Sequence, residues 1–284
     1  MKEIGFVIVN YNDYETTKRL LDNIKDYDCL KKIVVVDNCS TDNSLEELNK
    51  IRNEKIDIIS NVSNKGYASG LNCGAKYLMN KLNNPIIVFS NSDIIINKEQ
   101  DIVSLANDIN RKIKVVGPVI EEKGNYNRGW KKTTPFVEIL LNLPLISRYF
   151  KKTYLYYSDN YYRDNITYVD VVSGCLFLVD GKTLKEIGYF DENTFLYYEE
   201  LILSSKIKSI NKRIIVDNNV HVIHDHSQTI DKNVKKIRKY KILKQSQHYY
   251  VKKYLKANNL ELAFLWLTNK LSLMILYIRG LFRK

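Results

Sequence analysis

Residues 85–96 read PIIVFSNSDIII, an apolar run that breaks on Ser90-Asn91-Ser92-Asp93 and resumes at Ile94-Ile95-Ile96. A β-branched run of this length, bounded by a proline and a polar cluster, predicts a buried strand with a polar carboxyl end. Taken alone, the break is an Asx-turn in which Asn91 or Asp93 bonds the local backbone. Its neighbours change that reading.

Upstream, IGFVIVN (4–10), KIVVVDN (32–38) and KIDIIS (55–60) repeat the pattern of an apolar run ending in polar residues. Between them lie YETTKRLLDNI (14–24), with Leu20, Leu21 and Ile24 on one face, SLEELNKI (44–51), and YASGLNCGAKYLMNKL (67–82), all at helical spacing. Strands that are apolar throughout and alternate with helices predict an α/β fold, a Rossmann-like, mostly parallel central sheet covered on both faces. Ligands in such sheets sit beyond the carboxyl ends of the strands. The residues there are Asn10-Tyr11-Asn12, Asp37-Asn38, Asn64-Lys65-Gly66 and Asn91-Ser92-Asp93.

The chain has 284 residues, 45% of them hydrophobic, enough for one large core without help from an oligomer. Its formal net charge of +12 points to a polyanionic neighbour: nucleic acid, anionic lipid or a phosphorylated ligand. Four cysteines without CxxC spacing suggest neither a zinc site nor a disulfide framework, and fit a reducing cytosol. The start, MKEIGFVIVNYN, has the shape of a first core strand and not of a signal peptide.

From about Lys123 to Thr167 the alternation stops in a Tyr-, Lys- and Asn-rich excursion. Regular structure is expected to resume with YVDVVSGCLFLVD (168–180), a helix near 181–188, the acidic stretch 195–210, and strands at 213–217 and 221–229.

Several short constellations could carry chemistry. Asp37 is too far upstream to cap the next helix, whereas Asp42 and Ser44 are well placed to do so. Gly66, Gly70 and Gly74 recur at a spacing of four, which serves packing more often than phosphate binding. Asp93 ends a strand where one carboxylate, with a substrate's own phosphates, suffices to hold Mg²⁺ or Mn²⁺. Glu199 and Glu200 sit among Tyr197, Tyr198 and Leu201-Ile202-Leu203, a setting for a raised carboxyl pKa, although paired acids also open helices. His224 and His226 fall on one face of a strand, too few for zinc but suited to joining an oxygen-rich Mn²⁺ site.

In order, VIVNYN, VVVDNCSTDNS, NKGYASGLNCGA, FSNSD, SGCLFLV, IGYFDENTFLYYEE and VIHDHS resemble the inverting family 2 glycosyltransferases of GT-A fold. The similarity is greatest to the rhamnosyltransferase-like branch that builds bacterial capsule, O-antigen and cell-wall polysaccharide. The resemblance covers roughly residues 4–229. It implies nucleotide-sugar contacts from Asn10, Asn12, Asp37, Asn64, Gly66 and Asn91, and a metal, Mn²⁺ or Mg²⁺, at Asp93 with His224 nearby. It makes Glu200 the general base and Glu199 its neighbour, acting on a dTDP-rhamnose or UDP-sugar donor and a lipid-linked saccharide acceptor. Two departures stand out: Asn91 replaces the first acid of the family's DxD motif, and Ile202 replaces the last acid of its EDxD motif. These departures motivate the alternative of an inactive sugar-nucleotide-binding scaffold.

The organisation expected is a glycosyltransferase domain over 1–230, with a nucleotide-sugar half (1–120) and an acceptor half (121–230), followed by a basic helical region (231–284). Residues 232–256 hold ten Lys/Arg and no acid, but no nucleic-acid module accompanies them. In LELAFLWLTNKLSLMILYIRGLFRK (260–284), Leu260, Phe264, Leu267, Leu271, Met274 and Ile278 form one stripe. Lys270 and Arg279 bracket only eight residues, so an amphipathic helix on an anionic surface is expected in preference to a span. The region could equally pack on its own domain or pair in a homodimer. The expected location is cytoplasmic, peripheral on the inner face of the plasma membrane.

Overall fold

The computed structural model describes residues 2–143, 147–225 and 236–281; His226 and the start of the basic region lie outside them. The first half alternates as expected: β1 (Ile4–Asn10), α1 (Tyr14–Ile24), β2 (Leu30–Asp37), α2 (Ser44–Lys50), β3 (Ile56–Ser60), α3 (Tyr67–Lys81) and β4 (Ile86–Ser90). There follow β5 (Ile94–Ile96), α4 (Glu99–Asn107), β6 (Ile113–Glu122) and β7 (Asn125–Asn127).

Strands order as β3-β2-β1-β4, all parallel. Successive side chains on β1 and β2 point to opposite faces. Phe6, Ile8, Ile33 and Val35 join Leu20, Leu21 and Ile24 of α1 in one core layer, and Val7, Val34 and Val36 join Leu71, Ala75 and Leu78 of α3 in the other. Two of the spaced glycines serve that second layer. A Cβ at Gly70 would lie 2.8 Å from Val9 Cγ1, and one at Gly74 2.5 Å from Val7 Cγ1, so only glycine lets α3 lie this close to β1.

Beyond β4 the sheet is mixed. β9 (Leu176–Asp180) runs antiparallel to both β4 and β6, and β10 (Arg213–His224) pairs parallel with β6. The far edge of β10 pairs antiparallel with β8 (Ile166–Val169) over its first part and with β5 over its last. The run 168–180, expected as one element, is divided: Asp170 to Cys175 leave the sheet between β8 and β9. The two strands expected at 213–217 and 221–229 are one in the described residues, with a register shift between Asp217 and His221.

The excursion contains the β6–β7 hairpin, α5 (Pro135–Leu141), α6 (Ser147–Phe150) and two short helical turns, Lys151–Leu155 and Asp159–Tyr162. α7 (Gly181–Glu186) and α8 (Glu199–Ser209) follow β9.

Two further helices, Lys236–Lys253 and Asn259–Leu281, pack on this same domain. Tyr250, Val251 and Leu265 form a buried cluster with Val171, Leu201 and Ile202. Ile202 therefore stands where the related motif has an acid because it faces this apolar contact. The last helix is continuous for 23 residues, and Asn259–Ile278 is long and apolar enough to cross a membrane by length and composition, which the expectation of an interrupted, too-short stretch did not allow for. Only 11% of that segment is buried. Leu265 and Ser272 face the domain, whereas Leu260, Phe264, Leu267, Leu271, Met274 and Ile278 are exposed.

Candidate active site

A cavity of about 600 Å³ opens at the carboxyl ends of the strands, the place expected for an open parallel sheet. Its walls include Asn38, Asn64, Gly66, Asn91 and Asp93 from the first half and Trp130, Gly174, Cys175, Glu199, Glu200 and His224 from the second.

The break after β4 has a specific consequence. The chain turns through Asn91, Ser92 and Asp93 and re-enters the sheet as β5 beside the end of β10, with Ile94 opposite His224. The Asp225 amide donates to the Asp93 carbonyl at 2.9 Å. That register sets His224 Nε2 3.2 Å from Asp93 Oδ1. On its other side, His224 Nδ1 is 3.6 Å from Glu122 Oε2 and 3.7 Å from Cys175 Sγ. Burial works against an imidazolium here, but the bonds to Asp93 and Cys175 outweigh it and raise His224 to about 10.

Asn91 is used as an acceptor within the wall: the Tyr67 hydroxyl donates to its Oδ1 at 2.9 Å, and its own amide donates to the Cys175 carbonyl at 2.8 Å. An amide in place of the motif's first acid thus orients a half-buried tyrosine and adds no charge beside Asp93. The wall is closed by contact between the two halves. Gly66 has φ +104°, and a Cβ there would lie 2.3 Å from the Phe195 carbonyl oxygen, which accepts from the Tyr67 amide at 2.8 Å.

Tyr197 and Tyr198 both have positive φ, 73° and 72°, immediately before α8. Two consecutive non-glycine residues in this region are strained, and such strain gathers where a side chain must be aimed. Here it turns Glu199 and Glu200 into the cavity. The Tyr198 hydroxyl donates to buried Glu138, which also accepts from Thr133 and Gln247. Ser246 donates to the Leu196 carbonyl at 2.7 Å, so the Lys236–Lys253 helix braces the loop that carries the acids. Burial pushes both carboxyls up, and for Glu199 repulsion from Glu200 adds to it. Glu199 Oε1 is buried with no hydrogen-bond partner among the described residues. Glu200 Oε2 lies 3.7 Å from where a Gly174 Cβ would be, so the glycine keeps space open in front of the carboxylate.

A profile of the family described as Glycosyl transferase family 2 matches residues 6–180, more than half of the chain. The chain belongs to glycosyl transferase family 2. Among curated relatives of this glycosyltransferase is the low-salt glycan biosynthesis hexosyltransferase of Haloferax volcanii, 26% identical over 227 residues, covering 79% of this chain and 68% of the relative. Solved structures that are similar include the Pyrobaculum calidifontis mannosyltransferase in complex with GDP-Man and Mn²⁺ (TM-score 0.61, 15% identity, 96% of this chain and 72% of that one). The GalNAc-T7 structure with UDP, GalNAc and Mn²⁺ (TM-score 0.59, 17% identity) covers 79% of this chain, which spans only 44% of that longer one. The S. aureus TarS 1–349 complex with UDP-GlcNAc (TM-score 0.56, 17% identity) covers 89% and 67%. At these identities the structures share the GT-A fold of this glycosyltransferase.

Of the sequence-derived residues, the glycosyltransferase brings Asn64, Gly66, Asn91, Asp93, Glu199, Glu200 and His224 onto one cavity. Asn10 and Asp37 are placed behind its wall, where their polar atoms bond one another and neighbours: Asn10 Nδ2 to Asp37 Oδ1 at 2.9 Å, and Ser40 amide to Asp37 Oδ2 at 3.0 Å. Asn12, φ 52°, is tied to Thr41. From this region Val9, Tyr11 and Asn38 reach the cavity, and Asn38 Nδ2 donates to Asn64 Oδ1 and the Gly66 carbonyl. Sequence reading passed over Tyr67, Trp130, Cys175, Arg238 and Lys239 as individual wall residues. For the last two the signal was present, in the basic run, but nothing local to it says that one end of that helix reaches the strand ends.

Asp93 and His224 would fit a divalent cation that displaces the proton held between them. They are adjacent on the cavity wall, one oxygen and one imidazole nitrogen, with no cluster of three or more His, Cys, Asp or Glu ligands among the described residues. A set this lean would need further oxygens to complete a coordination sphere, and an imidazole ligand would suit Mn²⁺ better than Mg²⁺.

Proposed function

We propose that this family 2 glycosyltransferase moves a hexosyl group from a nucleotide-activated donor to an acceptor hydroxyl with inversion at the anomeric carbon. The observation that carries this is the meeting of Asp93 and His224 with Glu199 and Glu200 on a single cavity of about 600 Å³ at the strand ends. The polar residues Asn38, Asn64 and Asn91 line the donor side. Asp93 and His224 would hold Mn²⁺, or Mg²⁺, which when bound supplies charge neutralisation for the departing nucleoside diphosphate.

Glu200 accepts the proton of the acceptor hydroxyl as its oxygen bonds to the anomeric carbon. The bond from that carbon to the diphosphate oxygen breaks with its electron pair on the leaving group. A carboxyl pushed up by burial suits a base working near neutral pH. Glu199, buried beside it and held protonated near neutral pH by burial and by the charge of Glu200, is placed to accept from a substrate hydroxyl through Oε1. The inactive scaffold alternative is not favoured, because the acid pair is present, strained into position and aimed at the cavity.

The donor is dTDP-rhamnose or a UDP-sugar, and the acceptor a lipid-linked saccharide made at the inner face of the plasma membrane for surface polysaccharide. The support for a membrane is the exposed apolar stripe from Leu260 to Ile278 beside the Lys/Arg-rich helix. The last helix lies in the anionic interface, its other face held by the domain through Leu265, Ser272 and the bond from Asn142 to Thr268 at 3.1 Å. Release of nucleoside diphosphate from a panel of UDP-, GDP- and dTDP-sugars with Mn²⁺ tests the activity. No release from any donor would remove it. Flotation with anionic vesicles, comparing the full chain with a Leu267→Glu, Leu271→Glu variant, tests the stripe; equal flotation would remove the membrane role.

A further inference from the structure

A second cavity, about 430 Å³, lies away from the first, where β8, the start of β10 and the end of α8 meet. Tyr157, Tyr161, Tyr168, Asp170, Lys208 and Arg213 are among its walls. We propose that it binds an acidic saccharide unit of the substrate chain, outside the site of transfer. This deepens the proposed transfer to a saccharide acceptor and rests on it for the identity of the bound chain; the binding itself is tested separately.

Aromatic rings carry the argument first. Tyr157 and Tyr161 are stacked, 4.3 Å between centroids and 7° apart, and the Tyr161 hydroxyl donates to the Tyr168 carbonyl at 2.8 Å. The Tyr157 hydroxyl accepts from the Asp170 amide at 3.1 Å. These bonds fix the rings, yet Tyr161 and Tyr168 remain 44% and 52% exposed. Rigid, half-exposed tyrosines offer a large amphipathic face at little entropic cost. Exposed aromatics of this density mark binding surfaces. A pyranose presents an apolar C–H face to such a ring and hydroxyls to a polar rim.

The rim supplies the second part. Asn211 offers a donor and an acceptor for hydroxyls, while Asp170 and Lys208 are paired with each other along the same rim. With Lys208 paired to Asp170, the single carboxylate on these walls, Lys212 and Arg213 leave a net positive rim that selects a negatively charged ring. Arg213 holds its guanidinium over the Tyr168 ring, 5.8 Å from its centre, so cation and ring act as one surface. With Tyr157 and Tyr161 already in contact, no slot remains between them for a flat base, which favours a saccharide over a nucleic acid.

Position links the cavity to the transfer site. Glu200 and Lys208 are eight residues apart on α8, about 12 Å along the helix axis, or roughly two to three sugar rings. Asp170 is four residues from Gly174, which faces Glu200.

Binding of tri-galacturonic acid, maltotriose and a short oligothymidylate to the full chain would be measured by titration calorimetry, with Tyr168→Ala and Arg213→Gln alongside. Tri-galacturonic acid should bind wild type at least fivefold more tightly than either comparator, and either substitution should weaken it fivefold or more. Nucleoside diphosphate release from donor alone, with no saccharide acceptor present, should stay at the wild-type rate in both variants, which shows that they fold and separates this outcome from failure of the transferase reading. Equal binding of maltotriose, tighter binding of the oligonucleotide, no binding of tri-galacturonic acid, or binding unchanged in both variants would overturn the proposal.

Discussion

His224 Nε2 sits 3.2 Å from Asp93 Oδ1 although the two residues are 131 positions apart, because β5 pairs antiparallel with the last residues of β10. The polar break in the β4 run is the turn that makes this possible.

Removing either member should weaken metal use. Asp93→Asn and His224→Ala are each expected to raise the Mn²⁺ concentration for half-maximal transfer by roughly 10- to 100-fold, the range seen when ligands or their partners are lost. Mn²⁺ titration of donor turnover, with Mn²⁺ binding followed by electron paramagnetic resonance, reads this directly. An unchanged requirement in both variants would separate the pair from the metal.

Gly66→Ala places a side chain against the Phe195 carbonyl and forces a non-glycine residue to φ +104°. Backbone strain of this kind costs on the order of 1–3 kcal/mol before the clash is counted. The variant should melt several degrees lower and lose most transfer activity, whereas Gly124→Ala, also at positive φ (+77°) but with no atom within 4 Å of the added Cβ, should carry backbone strain without the clash and cost less. Thermal melts of the two variants check the contrast.

The acid pair predicts a pH dependence of stability. Below the ordinary glutamate value of 4.5, Glu199 is protonated folded or unfolded. Above it, the unfolded chain releases the proton while the folded chain, with its raised pKa, retains it. Stability therefore falls as pH rises from about 4.5 towards the raised value. Glu199→Gln should melt above wild type at pH 8, by about 2–4 °C for each kcal/mol recovered, and match it near pH 4. Calorimetric melts across this range would show it.

Asp191 ties the loop before α8 to the Lys236–Lys253 helix, accepting from Tyr249 and Tyr254 hydroxyls and the Lys253 ammonium. Burial opposes its charge, but these bonds and those from Asn193 hold it well below the usual carboxylate range. Its contribution is present above about pH 4 and lost as acid protonates it. Asp191→Ala should cost about 1–3 kcal/mol at pH 7, as expected for orphaning several donors. Because this brace supports the loop bearing Glu199 and Glu200, kcat should fall more than donor affinity. Chemical unfolding and steady-state kinetics test the two parts.

The parallel half of the sheet is legible from sequence because each strand is apolar throughout and each helix amphipathic, so period and length agree. Tyr14–Ile24 and Ile86–Ser90 come out as read. The mixed half is not legible in the same way. β9 is as apolar as β4, and nothing in Leu176–Asp180 says that it runs antiparallel between two parallel pairs. Asp93, Glu199 and Glu200 could be nominated because a carboxylate at a strand end or in an apolar setting is chemically conspicuous. Asn10 and Asp37 look alike in sequence, yet their proximity lets them satisfy each other behind the wall, a pairing set by the β1–β2 register, Asn10 opposite Asp37. The helix Lys236–Lys253 reads as part of a basic helical region suited to an anionic surface. Its bracing of the loop that bears Glu199 and Glu200 depends on Ser246, Gln247 and Tyr250, which carry no sequence signal of their own.

The account stands most directly on Glu200 as the proton acceptor. Sugar transfer by Glu200→Gln should be measured in a single turnover with Mn²⁺, the most active donor of the panel and its acceptor, alongside donor binding by calorimetry. Transfer should fall by at least 10²-fold, within the usual range for loss of a general base, with donor affinity changed less than threefold. Transfer near the wild-type rate would contradict the assignment.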